Sequence, residues 1–328
     1  MLNKNSVFLC ITDFCNAKCS FCDFWKTKRA TYIKKEDVSF TIEQLQSKLN
    51  CGFLEITGGE PLVYPHIFDL IKEATHRKII TQLMTHGGLL SENKIREMDK
   101  AGLNIVSVSV DHYDENIFNT HRGIENLSQI IQHNLPHFKN TNIVTSAGIT
   151  IAKHNIDDFE KTAEFALEVG FNLVFFSLPI MGTESTYKIG LNSPDSIDFS
   201  NEELADVVKR IIELKKKLKK KLVHHELFLE DMLNFYTGKS QKYSCKSGEN
   251  VFYVDNYLDV YECMVKSNKL GNLKSDVKIL HNAECYLCPL QCHRETSLMY
   301  HGIKSLPFQF DLAMRRESWK IIRRKLAS

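Results

Sequence analysis

Short apolar runs return at intervals along the first half of the chain, and between them apolar positions fall three or four residues apart. The runs are Val7–Ile11, Phe53–Thr57, Ile79–Met84, Ile105–Val110, Val144–Ile151 and Leu173–Ser177. Each is short, and most are rich in β-branched or aromatic residues, which predicts a strand. The intervening stretches predict helices. Thr41 with Gln44 reads as a capping box for a helix ending near Leu49, and Pro65 leads a helix to about Arg77. Ser91 caps a helix that stops at Gly102, and Ile156–Val169 stops at Gly170. Asn126–Phe138 is a weaker helix, interrupted by Pro136. Buried strands alternating with amphipathic helices are the pattern of a parallel sheet with crossover helices. The predicted fold class is α/β, a partial (β/α)6 TIM-like barrel with a small cysteine-rich, hairpin-containing C-terminal extension. Active groups in such folds gather at the carboxyl ends of the strands.

After the sixth strand the pattern changes. Met181 to Phe199 is rich in Gly, Ser, Pro and Asn and reads as a loop over the barrel mouth. Ser200 with Glu203 opens a long helix by a capping box. That helix ends at Lys215–Lys221, a lysine run that reads as a solvated surface, because no aromatic residues interleave with it. Val251–Val254 and Leu258–Tyr261 alternate around Asp255-Asn256 and predict a hairpin. Asp311 to Leu326 reads as a basic amphipathic helix packing on the barrel. The expected organisation is a barrel over 1–180, connecting loop and helices over 181–240, and a cysteine-rich domain with a terminal helix over 241–328.

A net charge of +2 favours no polyanionic partner, so no nucleic acid is expected. No apolar run approaches the ~18 residues of a membrane span, and no signal-peptide core precedes the first strand, so a cytoplasmic protein is expected. Ten cysteines then need a reason other than disulfides. Cys10 and Cys51 stand in apolar contexts and read as core thiols, whereas the other eight fall into two groups.

The first group, Cys15, Cys19 and Cys22, follows the first strand at C-x3-C-x2-C spacing. Three thiolates are one fewer than a structural zinc site or an ordinary [4Fe–4S] cluster takes from protein. A cube held this way keeps one iron open, and S-adenosylmethionine can chelate it through its amino and carboxylate groups. Phe21, just before the third cysteine, can lie against the adenine. At the end of the second strand Gly58-Gly59-Glu60-Pro61 lets backbone approach a ligand, and the Glu60 carboxylate can accept from a ligand ammonium. In the second group, the predicted hairpin and its flanks offer Cys245 and Cys263, and Cys285-x2-Cys288 follows. These make four ligands, enough to close a second [4Fe–4S] cluster, with a structural zinc as the alternative. Cys292 is left over, as an alternative ligand, a buried thiol or a group acting on the substrate.

The triplet with its aromatic, and Gly58-Gly59-Glu60-Pro61, resemble the radical SAM superfamily signature. Ser107-Val108-Ser109-Val110-Asp111 followed by His121-Arg122-Gly123 is similar to the matching segment of members that carry extra clusters. There a serine at the fourth strand helps hold the methionine carboxylate or ribose, which implies Ser109. Asp111 and Arg122 are further candidates, either at the site or tying the loop together, and Thr150 or Asn155 can reach the ribose. His112 stands where the family has glycine; it and His121 read as loop hydrogen-bonders. The C-terminal group resembles the twitch form of the SPASM extension, although Leu258 replaces the usual glycine five residues before the second cysteine.

The resemblance implies one-electron reduction by flavodoxin or ferredoxin and cleavage of S-adenosylmethionine to a 5′-deoxyadenosyl radical. That radical takes a hydrogen atom from substrate, and the second cluster accepts the remaining electron. A small polar molecule is the leading substrate class, because the first strand opens close to the start of the chain. A peptide or protein is the alternative. A non-enzymatic iron–sulfur or zinc protein would share the thiols but leaves Gly58-Gly59-Glu60 unexplained.

Overall fold

The computed structural model describes residues 4–27, 30–179 and 196–301. Six parallel strands are joined by helices: β1 (Asn5–Cys10), α1 (Val38–Leu49), β2 (Cys51–Thr57), α2 (Ile67–His76), β3 (Ile80–Thr85), α3 (Glu92–Ala101), β4 (Ile105–Ser109), α4 (Glu115–Arg122), α5 (Leu127–Asn134), β5 (Val144–Thr150), α6 (Phe159–Val169) and β6 (Leu173–Ser177). There follow α7 (Asn201–Leu218), α8 (Glu226–Tyr236), β7 (Val251–Val254), β8 (Asp259–Cys263), β9 (Lys266–Asn272) and α9 (Gln291–Ser297). All nine strands form one open sheet in the order β6-β5-β4-β3-β2-β1-β7-β8-β9. The parallel barrel strands are as the apolar runs predict. No helix among the described residues is long and apolar enough to cross a membrane.

Alternation along each strand divides the structure into two faces. Val7, Leu9, Leu54, Ile56, Leu83, Val106, Val108, Ala147, Ile149 and Phe176 point to the helices and share one buried core with Ile42, Leu45, Ile71, Ile95 and Phe159. By the same alternation Glu55, Gln82, Ser107, Ser109, Ser146 and Thr150 line the lumen face, which is far more polar.

The hairpin is continuous with the barrel. β7 lies parallel to β1, with Ser6 opposite Val251 and Leu9 opposite Val254, and β8 and β9 continue antiparallel. At the other edge, Leu222 bridges to Val174, and His224 Nε2 accepts the Phe176 N–H at 2.8 Å, so part of the β6 edge is paired rather than left open. The remaining ring nitrogen, Nδ1, donates to Glu295 of α9 at 2.8 Å. Arg294, one residue away and 1% exposed, donates from Nε to Asp231 of α8 at 2.5 Å, from Nη1 to Cys285 O at 3.2 Å, and from Nη2 to Tyr243 O. A buried ion pair therefore clamps the segments on either side of the C-terminal cysteines.

Several local expectations change. The Thr41–Gln44 capping box does not form: α1 begins at Val38 after a 3-10 turn over Lys35–Asp37, and Thr41 is buried inside it. The apolar stripe Val38, Ile42, Leu45, Leu49 already starts at Val38, and its packing sets the boundary. α2 and α6 start later, at Ile67 and Phe159, and Pro136 turns the end of α5 into a 3-10 segment over Leu135–Asn140. The Ser200–Glu203 capping box is present. Leu258 has φ +67° at the hairpin turn, a left-handed conformation natural to glycine, and its side chain is 2% exposed. The turn keeps a glycine-like backbone, at a strain of about 1–2 kcal/mol. Most of the Met181–Phe199 loop, and the helix expected from Asp311, lie outside the described residues.

The Arg294–Asp231 pair makes the first prediction. Arg294→Leu leaves a buried carboxylate without its cation and should lower stability by about 3–5 kcal/mol in urea unfolding. Arg294→Leu with Asp231→Leu should recover much of the loss; equal losses in both variants would mean that the pair is not what clamps these segments.

Candidate active site

The triplet loop leaves β1 and is docked on the end of β2 by backbone. Gly59 N–H donates to Thr12 O at 3.0 Å and Glu60 N–H to Phe14 O at 2.9 Å. A Cβ on Gly59 would stand 2.0 Å from Phe14 O, and one on Gly58, whose φ is +145°, 2.5 Å from Thr12 O. What these glycines admit is thus the backbone of the cysteine loop itself. On its other side, Lys18 N–H donates to Arg122 O and Ser20 N–H to His121 O, both at 3.0 Å.

Cys19 is buried, and Cys15 and Cys22 are partly so. Burial pushes Cys15 and Cys22 up to about 12 and raises Cys19 as well, with neighbouring thiols of the triplet adding to the rise at Cys15 and Cys22. The three therefore sit close enough to repel one another as anions. Thiolates placed this way need a cationic group between them, which an iron–sulfur cluster supplies. Arg122 Nη1 lies 3.6 Å from Cys19 Sγ, its guanidinium covers the Phe21 ring at 5.3 Å, and Phe21 is 3% exposed.

Glu60 is fully buried and already busy. Oε1 accepts from Leu62 N–H at 2.9 Å and Thr85 Oγ1 at 2.7 Å, and Oε2 from His86 N–H at 2.9 Å. Gly88 N–H donates to His86 Nδ1 at 2.9 Å, so the ring proton is on Nε2. Nε2 lies 2.9 Å from Asn16 Oδ1 and 3.2 Å from Glu60 Oε2. His86 thus ties Asn16, inside the triplet, to the carboxylate at the end of β2. Sequence reading missed His86; the signal was Thr85-His86-Gly87-Gly88 at a strand's carboxyl end.

Asp111, Arg122, Thr150 and Asn155 form a single network. Arg122 donates from Nε and Nη2 to Asp111 Oδ2, both at 2.6 Å, and Thr150 N–H donates to Oδ1 at 2.9 Å. Asn155 Nδ2 donates to Asp111 O and Thr150 O, both at 2.8 Å. These four join the ends of β4 and β5 to the triplet loop. The hydroxyls of Ser109 and Thr150 have no protein partner among the described residues. His112 Nδ1 accepts Asp114 N–H at 2.9 Å, and His121, which lies in α4, has Nδ1 3.2 Å from Ser20 Oγ and stacks on His154 at 3.8 Å. Both ring nitrogens of His154 are buried without a partner among the described residues, and burial followed by His121 pushes its pKa down to about 3.

In the second group Cys245 N–H donates to Cys285 O at 2.8 Å, and Cys263 closes β8. Burial raises Cys263 to about 12 and Cys288 to about 11; Cys288 and Cys245 add to the first rise, Cys245 and Cys285 to the second. Four thiols thus feel one another's charge. Cys292 Sγ lies 3.6 Å from Met264 Sδ, packed with Phe8, Cys10 and Tyr253, and burial followed by Glu55 raises its pKa. No three His, Cys, Asp or Glu side chains among the described residues converge tightly enough for a single metal ion. A four-iron cube holds its thiolates further apart than one ion does, and is compatible with this looser grouping.

A family model described as the radical SAM superfamily matches residues 9–166. This stretch is a radical SAM domain. Radical SAM enzymes use a [4Fe–4S] cluster and S-adenosylmethionine, and the domain holds Cys15, Cys19, Cys22, Glu60, Ser109, Asp111, Arg122, Thr150 and Asn155. The AdoMet-dependent heme synthase of Methanosarcina barkeri is 25% identical over 173 residues, 52% of this chain and 49% of that protein. A GTP 3′,8-cyclase of Clostridium botulinum is 29% identical over 213 residues, 62% and 66%. The match spans about half of the heme synthase and two thirds of the cyclase. Among solved structures, Streptococcus suis SuiB bound to precursor peptide SuiA superposes with a TM-score of 0.65 at 14% identity, over 92% of this chain and 67% of that one. Native anSMEcpe with bound AdoMet and a Cp18Cys peptide gives 0.60 at 17% identity, over 95% and 84%. These two share the radical SAM fold with this chain.

Two predictions follow from the geometry of the radical SAM domain. Gly59→Ala should displace the triplet loop, lower the iron held there and abolish 5′-deoxyadenosine formation; full iron and normal turnover would show that the approach is not limiting. Glu55, on the lumen face, has its pKa raised from 4.5 to about 8 by burial. Between those values the unfolded chain ionises first, so the native state loses stability as pH rises. Glu55→Gln should therefore melt like the unmodified protein near pH 4 and above it at pH 8; a pH-independent difference would mean that Glu55 is not the group responsible.

Proposed function

We propose that this chain cleaves S-adenosylmethionine reductively at the Cys15, Cys19 and Cys22 site and uses the 5′-deoxyadenosyl radical to oxidise a small polar molecule. Cys245, Cys263, Cys285 and Cys288 would hold a second [4Fe–4S] cluster, which would supply an acceptor for the substrate's second electron. The observation that carries this reading is a duplication around β1. Each thiol group is partly to fully buried, holds thiols whose pKa is raised by burial and by neighbouring thiols, and is flanked by a buried Arg–Asp pair: Arg122–Asp111 at the first, Arg294–Asp231 at the second. A guanidinium beside each group offsets the negative charge of a thiolate-bound cluster. Cys292 lies outside the proposed ligand set, against Met264.

The residues of the chain have distinct tasks in this reading. Glu60, held by Thr85 and His86, and the Ser109 hydroxyl receive the methionine end of the cofactor, and Phe21, Thr150 and Asn155 border its nucleoside. The lumen residues Gln82, Ser107 and Ser146 receive the substrate; Gln82 Nε2 donates to Ser107 Oγ at 3.0 Å, and Ser146 Oγ is buried without a partner among the described residues. For oxidation of a carbinol carbon, Glu55 would take the hydroxyl proton, while the two bound cofactors would supply the acceptors for the hydrogen atom and the remaining electron. A base whose pKa lies near working pH suits that step. Asp111, with both oxygens engaged, is a structural tie in this account. Flavodoxin or ferredoxin supplies the reducing electron in the cytoplasm, and the chain divides into a radical SAM barrel over 1–180, connecting loop and helices over 181–240, and a second-cluster domain over 241–328.

A peptide substrate is the second reading, favoured by solved structures of this fold that carry peptides. Turnover of small-molecule against peptide pools, read as 5′-deoxyadenosine released above the uncoupled rate, separates the two.

The two-cluster reading is tested by metal content. The anaerobically reconstituted chain should carry about eight irons and no zinc. Changing Cys15, Cys19 and Cys22 together to Ala should abolish 5′-deoxyadenosine formation and leave about four irons, and Cys288→Ser should also leave about four. Zinc in the native protein, or cleavage by the triple variant, would overturn the assignment.

A further inference from the structure

Cys245 differs from the other thiols in its company. Its Sγ lies 3.1 Å from Ser247 Oγ, and Ser247 Oγ lies 2.9 Å from His293 Nδ1. Ser247 is 3% exposed and His293 1%. The imidazole stacks on Phe8 of β1 at 4.8 Å, and its Nε2 is buried without a partner among the described residues. Burial also keeps this ring neutral, with a pKa pushed down to about 3.

The direction of this chain of hydrogen bonds depends on the sulfur. A free Cys245 thiol can donate to Ser247, whose own proton then points to Nδ1. An iron-bound thiolate has no proton and only accepts. Ser247 must then donate to Sγ, and Nδ1–H must donate to Ser247 Oγ, which leaves Nε2 as a bare acceptor among apolar neighbours. Ser297 Oγ also lies 3.6 Å from Sγ, but its single proton has a nearer acceptor in His293 O at 2.7 Å. The triplet is served differently: a backbone N–H from Ala17 reaches Cys15 at 3.4 Å, and the Arg122 guanidinium reaches Cys19.

Hydrogen bonds to cluster sulfurs stabilise the more negative, reduced state and so raise the reduction potential. We propose that Ser247, oriented by His293, is a positioning residue that donates to the Cys245 thiolate and raises the potential of the second cluster. The inference rests on the two-cluster reading above and goes beyond it by naming a residue that sets that cluster's potential.

The test is a potentiometric titration of the full-length reconstituted protein, followed by EPR. Ser247→Ala should shift the second cluster to a more negative potential, leave the triplet cluster where it was, and keep about eight irons. Ser247→Thr, which retains the hydroxyl, should keep the native potential, and His293→Phe should shift it the same way as Ser247→Ala but less. An unchanged potential in Ser247→Ala with full iron would overturn the proposal. If Ser247→Ala does not load its second cluster, proton ENDOR on the unmodified protein decides. A strongly coupled proton at the reduced second cluster, lost in D2O, supports the donation, and its absence overturns it. About four irons in the unmodified protein is a different failure, of the two-cluster reading itself, and is visible before any potential is measured.

Discussion

Gly59 and Glu60 hand two backbone hydrogen bonds to Thr12 and Phe14, and the cysteine loop can dock on the barrel only because nothing stands on the Gly59 Cα. That close approach fixes where Cys15 begins, and so where the triplet can point. The same turn delivers Glu60 inward, where Thr85 and His86 complete its hydrogen bonds. His86 then reaches back to Asn16 in the loop, so docking and carboxylate placement are parts of one closed circuit. A side chain at Gly59 would open that circuit at its tightest point.

Buried charge is the second constraint. Thiols with pKa values near 12 are stable as thiols in an empty site and become thiolates only when a cationic group arrives. The two Arg–Asp pairs prepare for that exchange without filling it. Each guanidinium is held by a carboxylate, and Arg294 by two backbone carbonyls besides, so it stays near the sulfurs whether or not they are ionised. Because β7 pairs with β1, the strand that launches the triplet also borders the hairpin that carries Cys263. The polar lumen lies beside both.

How much of this was legible in the sequence depends on how local each cause is. The strands and the triplet are written in runs and spacings of a few residues, and the structure places them as read. α4 was missed although Asp114 and Gly123 are cap signals at its ends, because only Phe118 and Arg122 of its eight residues are buried and no apolar stripe results. His86 is marked only by the short Thr85-His86-Gly87-Gly88 run at its strand end; its long-range partners come from the ends of two other strands. The pairing of β7 with β1 joins residues at opposite ends of the chain, and no periodicity announces it. Leu258 looked like a departure from a glycine pattern, yet the backbone there is left-handed all the same. The glycines before Glu60 were expected to admit a ligand, and in the structure they admit the cysteine loop.

The central claim is that two thiol groups around β1 hold two different clusters, one of which has an open iron for S-adenosylmethionine. EPR of the dithionite-reduced, reconstituted protein, recorded with and without S-adenosylmethionine, tests this most directly. The account predicts two cluster signals, one whose g-values change when the cofactor is added and one that does not. A single signal, or two signals that both ignore S-adenosylmethionine, would contradict it.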